Sequence, residues 1–197
     1  PADVLKDEFN GEATASKLAR VREQMEKEEA QYHIISTLDD IAWILNVRGN
    51  DIPHVPVVLS FLVIGKEDAM WFVEENALSD AVKEMAAECG ITIRPYEDVY
   101  AYAATIPEHS TVLLDKRKVN YRITNALSET VHIVSKANPS QLMKAIKNEI
   151  ELENTRKAHL LDGIAVTKFM YWLKKNVGKI PMDEVSVSDY LQSLREQ

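Results

Sequence analysis

Residues 38–64 read Leu38-Asp39-Asp40-Ile41-Ala42-Trp43-Ile44-Leu45-Asn46-Val47-Arg48-Gly49-Asn50-Asp51-Ile52-Pro53-His54-Val55-Pro56-Val57-Val58-Leu59-Ser60-Phe61-Leu62-Val63-Ile64. The stretch opens as a short helix. Thr37 stands where it can cap the first turn, and Asp40, three positions on, answers the cap and meets the positive helix terminus. Ile41, Ile44 and Leu45 fall at i, i+3 and i+4, one apolar face with Trp43 beside it. Arg48-Gly49-Asn50-Asp51 breaks the helix, with Gly49 supplying the backbone conformation of the turn. Pro53 and Pro56 hold the next residues extended. Val57 to Ile64 is then almost wholly apolar, which predicts a strand covered on both faces. A polar loop, Arg48 to His54, therefore sits at the mouth of a buried strand.

The flanking sequence alternates in the same way. Upstream, Thr14 to Glu29 has Leu18, Val21 and Met25 on one helical face, and Tyr32 to Ser36 reads as a short strand. Residues 1–13 are mixed and read as a loose lead-in. Downstream, Gly65 to Asp68 is a turn and Ala69 to Val73 an antiparallel return strand. Ala77 to Cys89 is a helix with Ala81, Val82, Met85, Ala86 and Cys89 inward, ended by Gly90. Ile91–Arg94, Thr111–Asp115 and Thr130–Val134 read as strands, Tyr96–Ala104 and Asn120–Leu127 as helices. The expected fold over residues 14–138 is an α/β, three-layer domain: a mixed, mostly parallel sheet of about six strands flanked by helices. Pro139 marks a boundary. Residues 139–197 read as a helical extension: Ser140–Ile146, then one helix from Asn148 to Asn176, about 43 Å long at 1.5 Å per residue. Leu161, Ile164, Ala165, Phe169, Trp172 and Leu173 form its apolar stripe. Gly178 and Pro181 end it. Ser186–Glu196 closes the chain, with Ser186 and Asp189 at capping-box spacing.

Composition bounds the function. Of 197 residues, 46% are hydrophobic and 27% charged, an ordinary globular balance. A net charge of −8 argues against a nucleic-acid partner, which needs clustered Lys and Arg. Cys89 is the single cysteine, so no internal disulfide forms, compatible with a reducing cytoplasm. No apolar run has membrane-spanning length and no start resembles a signal peptide, so no membrane partner is expected. Because the chain opens on Pro1, it reads as a piece of a longer protein.

Residues able to carry chemistry are sparse. His33, His54, His109, His132 and His159 are scattered, without a His-x-x-x-His pair or a cysteine partner, and read as ordinary surface or core histidines. Glu149, Glu151 and Glu153 alternate along a helix and point apart, and Glu153 pairs with Lys157 at i+4. Ser60 lacks a nucleophile elbow, the six glycines form no phosphate loop, and Cys89 reads as a buried, inert thiol. Arg48, Asp51 and His54 are the remaining candidates. Their structural reading is that Asp51 satisfies turn amides and Arg48 pairs with it.

The organising stretch also resembles a known family. The middle domain of three-domain Xaa-Pro aminopeptidases (aminopeptidase P), in the creatinase and prolidase superfamily, runs Leu-Asp-Glu-Ile-Ala-Trp-Leu-Leu-Asn-Leu-Arg-Gly-x-Asp-Ile-Pro-Tyr-Asn-Pro-Val. Leu38, Asp39, Ile41, Ala42, Trp43, Leu45, Asn46, Arg48, Gly49, Asp51, Ile52, Pro53, Pro56 and Val57 match it; His54 stands where Tyr is common and Val55 where Asn is common. Lys144 to Glu151 and Arg156 to His159 resemble the entry into the family's pita-bread catalytic domain, and Gly11-Glu12 through Glu23 the lead-in to its middle domain. The resemblance implies a cytoplasmic enzyme that releases an N-terminal residue preceding proline. Its two metal ions, usually manganese, are held by two Asp, one His and two Glu and activate a bridging water. Those five ligands lie beyond the point resembled by Gln197, so no catalytic or metal residue is carried over and the piece alone is expected to be inactive. Arg48, Asp51 and His54 would line the rim of the substrate channel, and residues 139–197 would begin the catalytic domain. The implied partners are peptides with proline in second position and the protein's own catalytic domain. The apolar stripe of 161–173 would fold back on the α/β domain or pair with another copy as a homodimer. Two rival readings stand beside this one: a binding module of creatinase-like fold without peptidase activity, and part of a related Xaa-Pro dipeptidase or creatinase.

Overall fold

A computed structural model describes residues 1–197. In chain order the elements are β1 (Asp3–Val4), α1 (Asp7–Asn10), α2 (Thr14–Lys27), β2 (Tyr32–Ile35), α3 (Leu38–Leu45), β3 (Val47–Arg48), β4 (Ser60–Gly65), β5 (Ala69–Val73), α4 (Asp80–Glu88), β6 (Ile91–Arg94), α5 (Asp98–Ala103), β7 (Thr111–Leu114), α6 (Tyr121–Ala126), β8 (His132–Ser135), α7 (Pro139–Ala145), α8 (Glu149–Asn176) and α9 (Glu184–Arg195). They group into two compact units, 1–147 and 148–197. The division falls after α7, eight residues beyond Pro139, because that short helix packs on α2 and α3 of the first unit.

The first unit is built on a six-stranded sheet of order β6-β5-β4-β2-β7-β8. β4 pairs antiparallel with both β2 and β5, whereas β5–β6, β2–β7 and β7–β8 are parallel. Five strands therefore run one way and β4 alone runs against them. Side chains alternate across the sheet as the pleat requires. Leu62 and Ile64 of β4 and Trp71 of β5 enter one core with Leu18 and Met25 of α2, Ile41 and Ile44 of α3 and Val82 of α4. Phe61, Val63 and Phe72 enter the opposite core with Val99 of α5 and Ile123 of α6. Each such side chain contributes about 1.5–3 kcal/mol when fully buried, so the apolar run of β4, buried from Ser60 to Gly65, is the centre of the domain.

Several local expectations need correction. Residues 1–13 are not loose: β1 pairs with β3, Ala2 N donates to Ala77 O at 2.6 Å, and Ala2 and Asn10 are buried. This segment carries no apolar period because main-chain and Asn10 hydrogen bonds hold it in place. The ladder of β4 begins at Ser60, not Val57; Val57 and Val58 are buried as loop residues and Leu59 is exposed. Helix α4 begins at Asp80 with Ser79 as its cap, since 75–77 already form a 3₁₀ turn, and Ala81 faces solvent. The Thr37 side chain makes no capping bond; its hydroxyl goes instead to the Asp40 carboxylate. Gly49 does not have positive φ. It is needed for close approach: a β-carbon there would stand 2.6 Å from Val58 Cγ2 and 3.0 Å from Val57 O.

In the second unit, α8 starts from a reciprocal capping box between Asn148 and Glu151. α9 starts two residues before Ser186 through a capping box of Asp183 and Ser186, not Ser186 and Asp189. The two helices run antiparallel, since Trp172 stacks on Tyr190 with centroids 4.0 Å apart while Asp162 meets Arg195 at 2.7 Å. The apolar stripe is thus covered by α9 at Ala165 and Trp172 and remains open at Leu161 and Ile164.

The chain leaves β2 toward β4 on one side of the sheet and leaves β7 toward β8 on the other. Their carboxyl ends border the kind of crevice in which open α/β sheets characteristically bind ligands. Here Asp40, with no exposed surface, fills it. Its Oδ1 accepts from Lys144 Nζ at 2.7 Å, and its Oδ2 accepts from Asn138 Nδ2 at 3.1 Å and from the Thr37 hydroxyl. Lys144 also reaches Asp39. Burial opposes the charge on Lys144, but the bonds to Asp39 and Asp40 outweigh it and raise its pKa. In the neighbouring β2, His33 is wholly buried and its Nδ1 donates to Leu113 O at 2.9 Å, leaving Nε2 without a partner. Protonation would bury an N–H with no acceptor, and desolvation lowers this pKa from 6.5 to about 4.

Two outcomes follow for the 197-residue chain. Between pH 6.5 and about 4 the unfolded state takes up a proton that folded His33 refuses. Stability present above pH 6.5 is therefore lost as pH falls, by about 3 kcal/mol. Urea unfolding at pH 7 and pH 4 should show a much smaller loss in His33→Gln; an equal loss would acquit His33. Separately, Lys144→Met strands a buried carboxylate and should cost about 3 kcal/mol. Adding Asp40→Asn should restore most of it, and strictly additive losses would mean that the pair is not coupled.

Candidate functional site

The carboxyl edge of the sheet gathers the exposed chemistry. Because β4 runs against its neighbours, its entry point, Leu59–Ser60, lies at the same edge as the ends of β2 and β7. The chain therefore returns to this edge through β3 and a loop from Gly49 to Leu59. Asn46, in the left-handed conformation, ends α3. Beneath it the buried Lys17 Nζ donates to Trp43 O at 3.0 Å and to Asn46 Oδ1 at 2.6 Å, and lies 4.3 Å from the Trp43 ring centroid. A buried cation at a helix carboxyl end is favourable on dipole grounds.

The three expected rim residues are spread from the end of β3 through this loop. Arg48, at its base, donates from Nη1 to Ala42 O at 2.7 Å and to Val47 O at 3.0 Å, which ties the loop to the end of α3. Asp51, halfway, accepts from Leu59 N at 2.7 Å, and its own N–H reaches Val57 O at 3.3 Å. That is the turn-satisfying role the residue type favours. His54, at the tip, is exposed and has φ of +63°. A non-glycine residue there is strained by about 1 kcal/mol or more. Pro53, Val55 and Pro56 are exposed around it. The tip is thus an exposed, mostly apolar turn carrying one imidazole, and Arg48 and Asp51 tie down the chain on either side of its base.

Other candidates separate from this edge. His33 is a core residue, His132 and His159 are exposed, and His109 lies in a turn with φ of +62°. No three His, Cys, Asp or Glu side chains stand together as a metal-holding group, so the residues present do not fit a metal centre. Buried Ser60 Oγ donates to Val58 O at 3.1 Å. The Cys89 thiol is half-buried, and burial followed by the nearby Glu88 pushes its pKa up, away from the reactive thiolate. Glu153 and Lys157 form the expected pair at 2.8 Å, and Glu151 is spent on the α8 cap. No helix is long and apolar enough to cross a membrane.

Sequence reasoning missed the crevice itself. By spacing Asp40 is a cap partner of Thr37, whereas in the structure it anchors Lys144 and Asn138, about a hundred positions away. Two acids directly after a predicted strand were the available signal, but their partners could not be read from spacing.

The residues 1–151 match the family model described as the Creatinase/Prolidase N-terminal domain. The protein named "Probable Xaa-Pro aminopeptidase P" from Neurospora crassa is 35% identical over 208 residues, covering 100% of this chain and 30% of that protein. "Xaa-Pro aminopeptidase 1" of Dictyostelium discoideum is 34% identical, covering 98% and 31%. Among solved structures, the X-prolyl aminopeptidase of Caenorhabditis elegans, described as a cytosolic enzyme with a di-nuclear active site, superimposes with a TM-score of 0.89 at 27% identity. It covers 100% of this chain and 33% of its own. The prolidase of Pyrococcus horikoshii shares the fold with a TM-score of 0.61 at 18% identity, covering 91% of this chain and 48% of its own. The chain therefore spans about a third of the length of the aminopeptidases it matches. The match across the α/β unit shows that the chain belongs to the Creatinase/Prolidase N-terminal domain family.

Proposed function

We propose that this chain is the non-catalytic middle domain, with the first catalytic-domain helices, of a cytoplasmic, metal-dependent Xaa-Pro aminopeptidase. The whole protein would hydrolyse the peptide bond that precedes a proline in second position. The observation that carries the reading is the 35% identity to an aminopeptidase P relative over the full chain. Two divalent metal ions, manganese by family habit, would be held outside these residues, whose carboxylates and imidazoles form no metal-holding group. No chemical step passes through this domain. Its task would be physical: the loop with Arg48, Asp51 and His54 walls the substrate channel and admits slim, unstructured peptide ends. Unit 148–197 would be the start of the catalytic domain, and its open stripe at Leu161 and Ile164 would be covered by the rest of that domain or by a second copy of the protein.

The 197-residue chain should show no turnover of an Xaa-Pro peptide with added manganese, whereas the full-length protein should turn it over. Turnover by the chain alone would place the chemistry within it, against this reading, and inactivity of both would favour a binding module. In the active full-length protein, His54→Ala should raise KM severalfold and alter stability by no more than about 1 kcal/mol. An unchanged KM would remove the loop tip from the channel.

A further inference from the structure

The same edge of the sheet carries a second feature that the rim reading does not use. Residues 116–122 read Lys-Arg-Lys-Val-Asn-Tyr-Arg, four of the chain's 23 basic residues within seven positions of a protein of net charge −8. They follow β7 directly. Arg117 is committed to the buried Asp115, through Nε at 3.0 Å and Nη2 at 2.8 Å. Lys116 and Lys118 are exposed. The main chain of this segment is pinned to the β2–α3 turn, because Ser36 Oγ donates to Lys118 O at 2.9 Å.

Further along, at Asn120 and Arg122, the same segment meets an aromatic shelf. Phe61, the second residue of β4, supports Tyr96 at a centroid distance of 5.0 Å and Tyr100 at 6.2 Å. Arg122 lies 3.8 Å from the Tyr100 ring centroid, and its contact with Glu97 is a loose, exposed one at 3.5 Å. Asn120 Nδ2 reaches the Tyr100 hydroxyl at 3.4 Å. Tyr96 and Tyr100 are half-buried, so part of each ring remains open to a ligand. β4 and β7 flank β2, which separates their ends at this edge by about 10 Å at roughly 4.8 Å per strand. An extended peptide spans that distance in about three residues.

We propose that this edge is a peptide subsite in which Tyr96 and Tyr100 receive an apolar side chain of an extended substrate and Lys116, Lys118 and Arg122 receive its carboxylate. The carboxylate is an acidic side chain or the peptide's own carboxyl terminus, about three residues beyond the part held at the loop. The inference rests on the aminopeptidase reading and adds a substrate preference to it. The cations sit on a fixed turn, and their attraction for a distant carboxylate lowers KM while making it sensitive to salt.

The test uses the full-length protein and C-terminally amidated Xaa-Pro peptides with a single Glu at successive downstream positions. Wild type should prefer Glu at one position over the all-neutral peptide by roughly three- to tenfold in kcat/KM, less at high salt. The double variant Lys116→Glu/Lys118→Glu should abolish or invert that ratio. Lys66→Glu, an exposed lysine in the β4–β5 turn at the opposite edge, should preserve it. A free terminal carboxylate on a peptide ending at the preferred position should substitute for the Glu; if it does not, the site takes side-chain carboxylates only. Turnover without positional preference, or a preference that survives the double reversal, would overturn the subsite and leave the aminopeptidase reading standing. Failure of the full-length protein to cleave any Xaa-Pro peptide would remove both.

Discussion

A carboxylate with no exposed surface sits where the chain changes direction across the sheet, and the arrangement of the first unit depends on how that charge is met. Asp40 receives Lys144, Asn138 and Thr37, groups drawn from α7, from the residue that leads into it and from the turn before α3. An unpaired charge in that position would cost several kcal/mol, comparable to the whole stability of a small domain. The residues from Asn138 to Lys144 therefore cannot drift without stranding it. This explains why the compact unit extends to Lys147, although the alternation of strands and helices ends at Ser135. Polar groups at a crevice, and not a further layer of apolar packing, fix the end of the domain.

Single-sequence periodicity located the sheet because strands covered on both faces have to be apolar. Val63, Phe72, Val112 and Leu114 meet helices on one side, while Leu62, Ile64, Trp71 and Leu113 meet helices on the other. Six strands were expected and six pair in the main sheet. Periodicity says nothing of residues whose order comes from main-chain bonds. β1 and β3 are two residues each and are held by one short antiparallel pairing, so neither leaves a pattern. The start of β4 departs from the apolar pattern for a related reason. Val57 and Val58 are as apolar as a strand demands, but Pro56 and the close approach of Gly49 to Val58 set them in the loop.

The candidate site was legible in part. Arg48, Asp51 and His54 stand out as the polar break between a helix and an apolar run, and the structure strings them from the half-buried Arg48 of β3 to the exposed Asp51 and His54 of the loop that follows. Their division of labour was not legible, since the hydrogen bonds of Arg48 return to α3 and those of Asp51 to Leu59. Nor was the edge beyond the loop. Tyr96, Tyr100 and Arg122 belong to separate helices and turns, and only the packing of both tyrosines on Phe61 collects them. Net charge was a misleading summary here: an excess of acids over the whole chain conceals the basic run that follows β7.

The single reversed strand accounts for this concentration of exposed groups. In a wholly parallel arrangement the connection into β4 would enter from the opposite edge, and the loop from Gly49 to Leu59 would lie far from the ends of β2 and β7. Running β4 backwards brings its entry to their exits. The crevice salt bridge, the projecting loop and the aromatic and basic strip then share one edge, while the other edge holds only the tight Gly65–Asp68 turn and the approaches to the parallel strands. Sheet topology, and not any single motif, thus decides which loops and charges this edge presents.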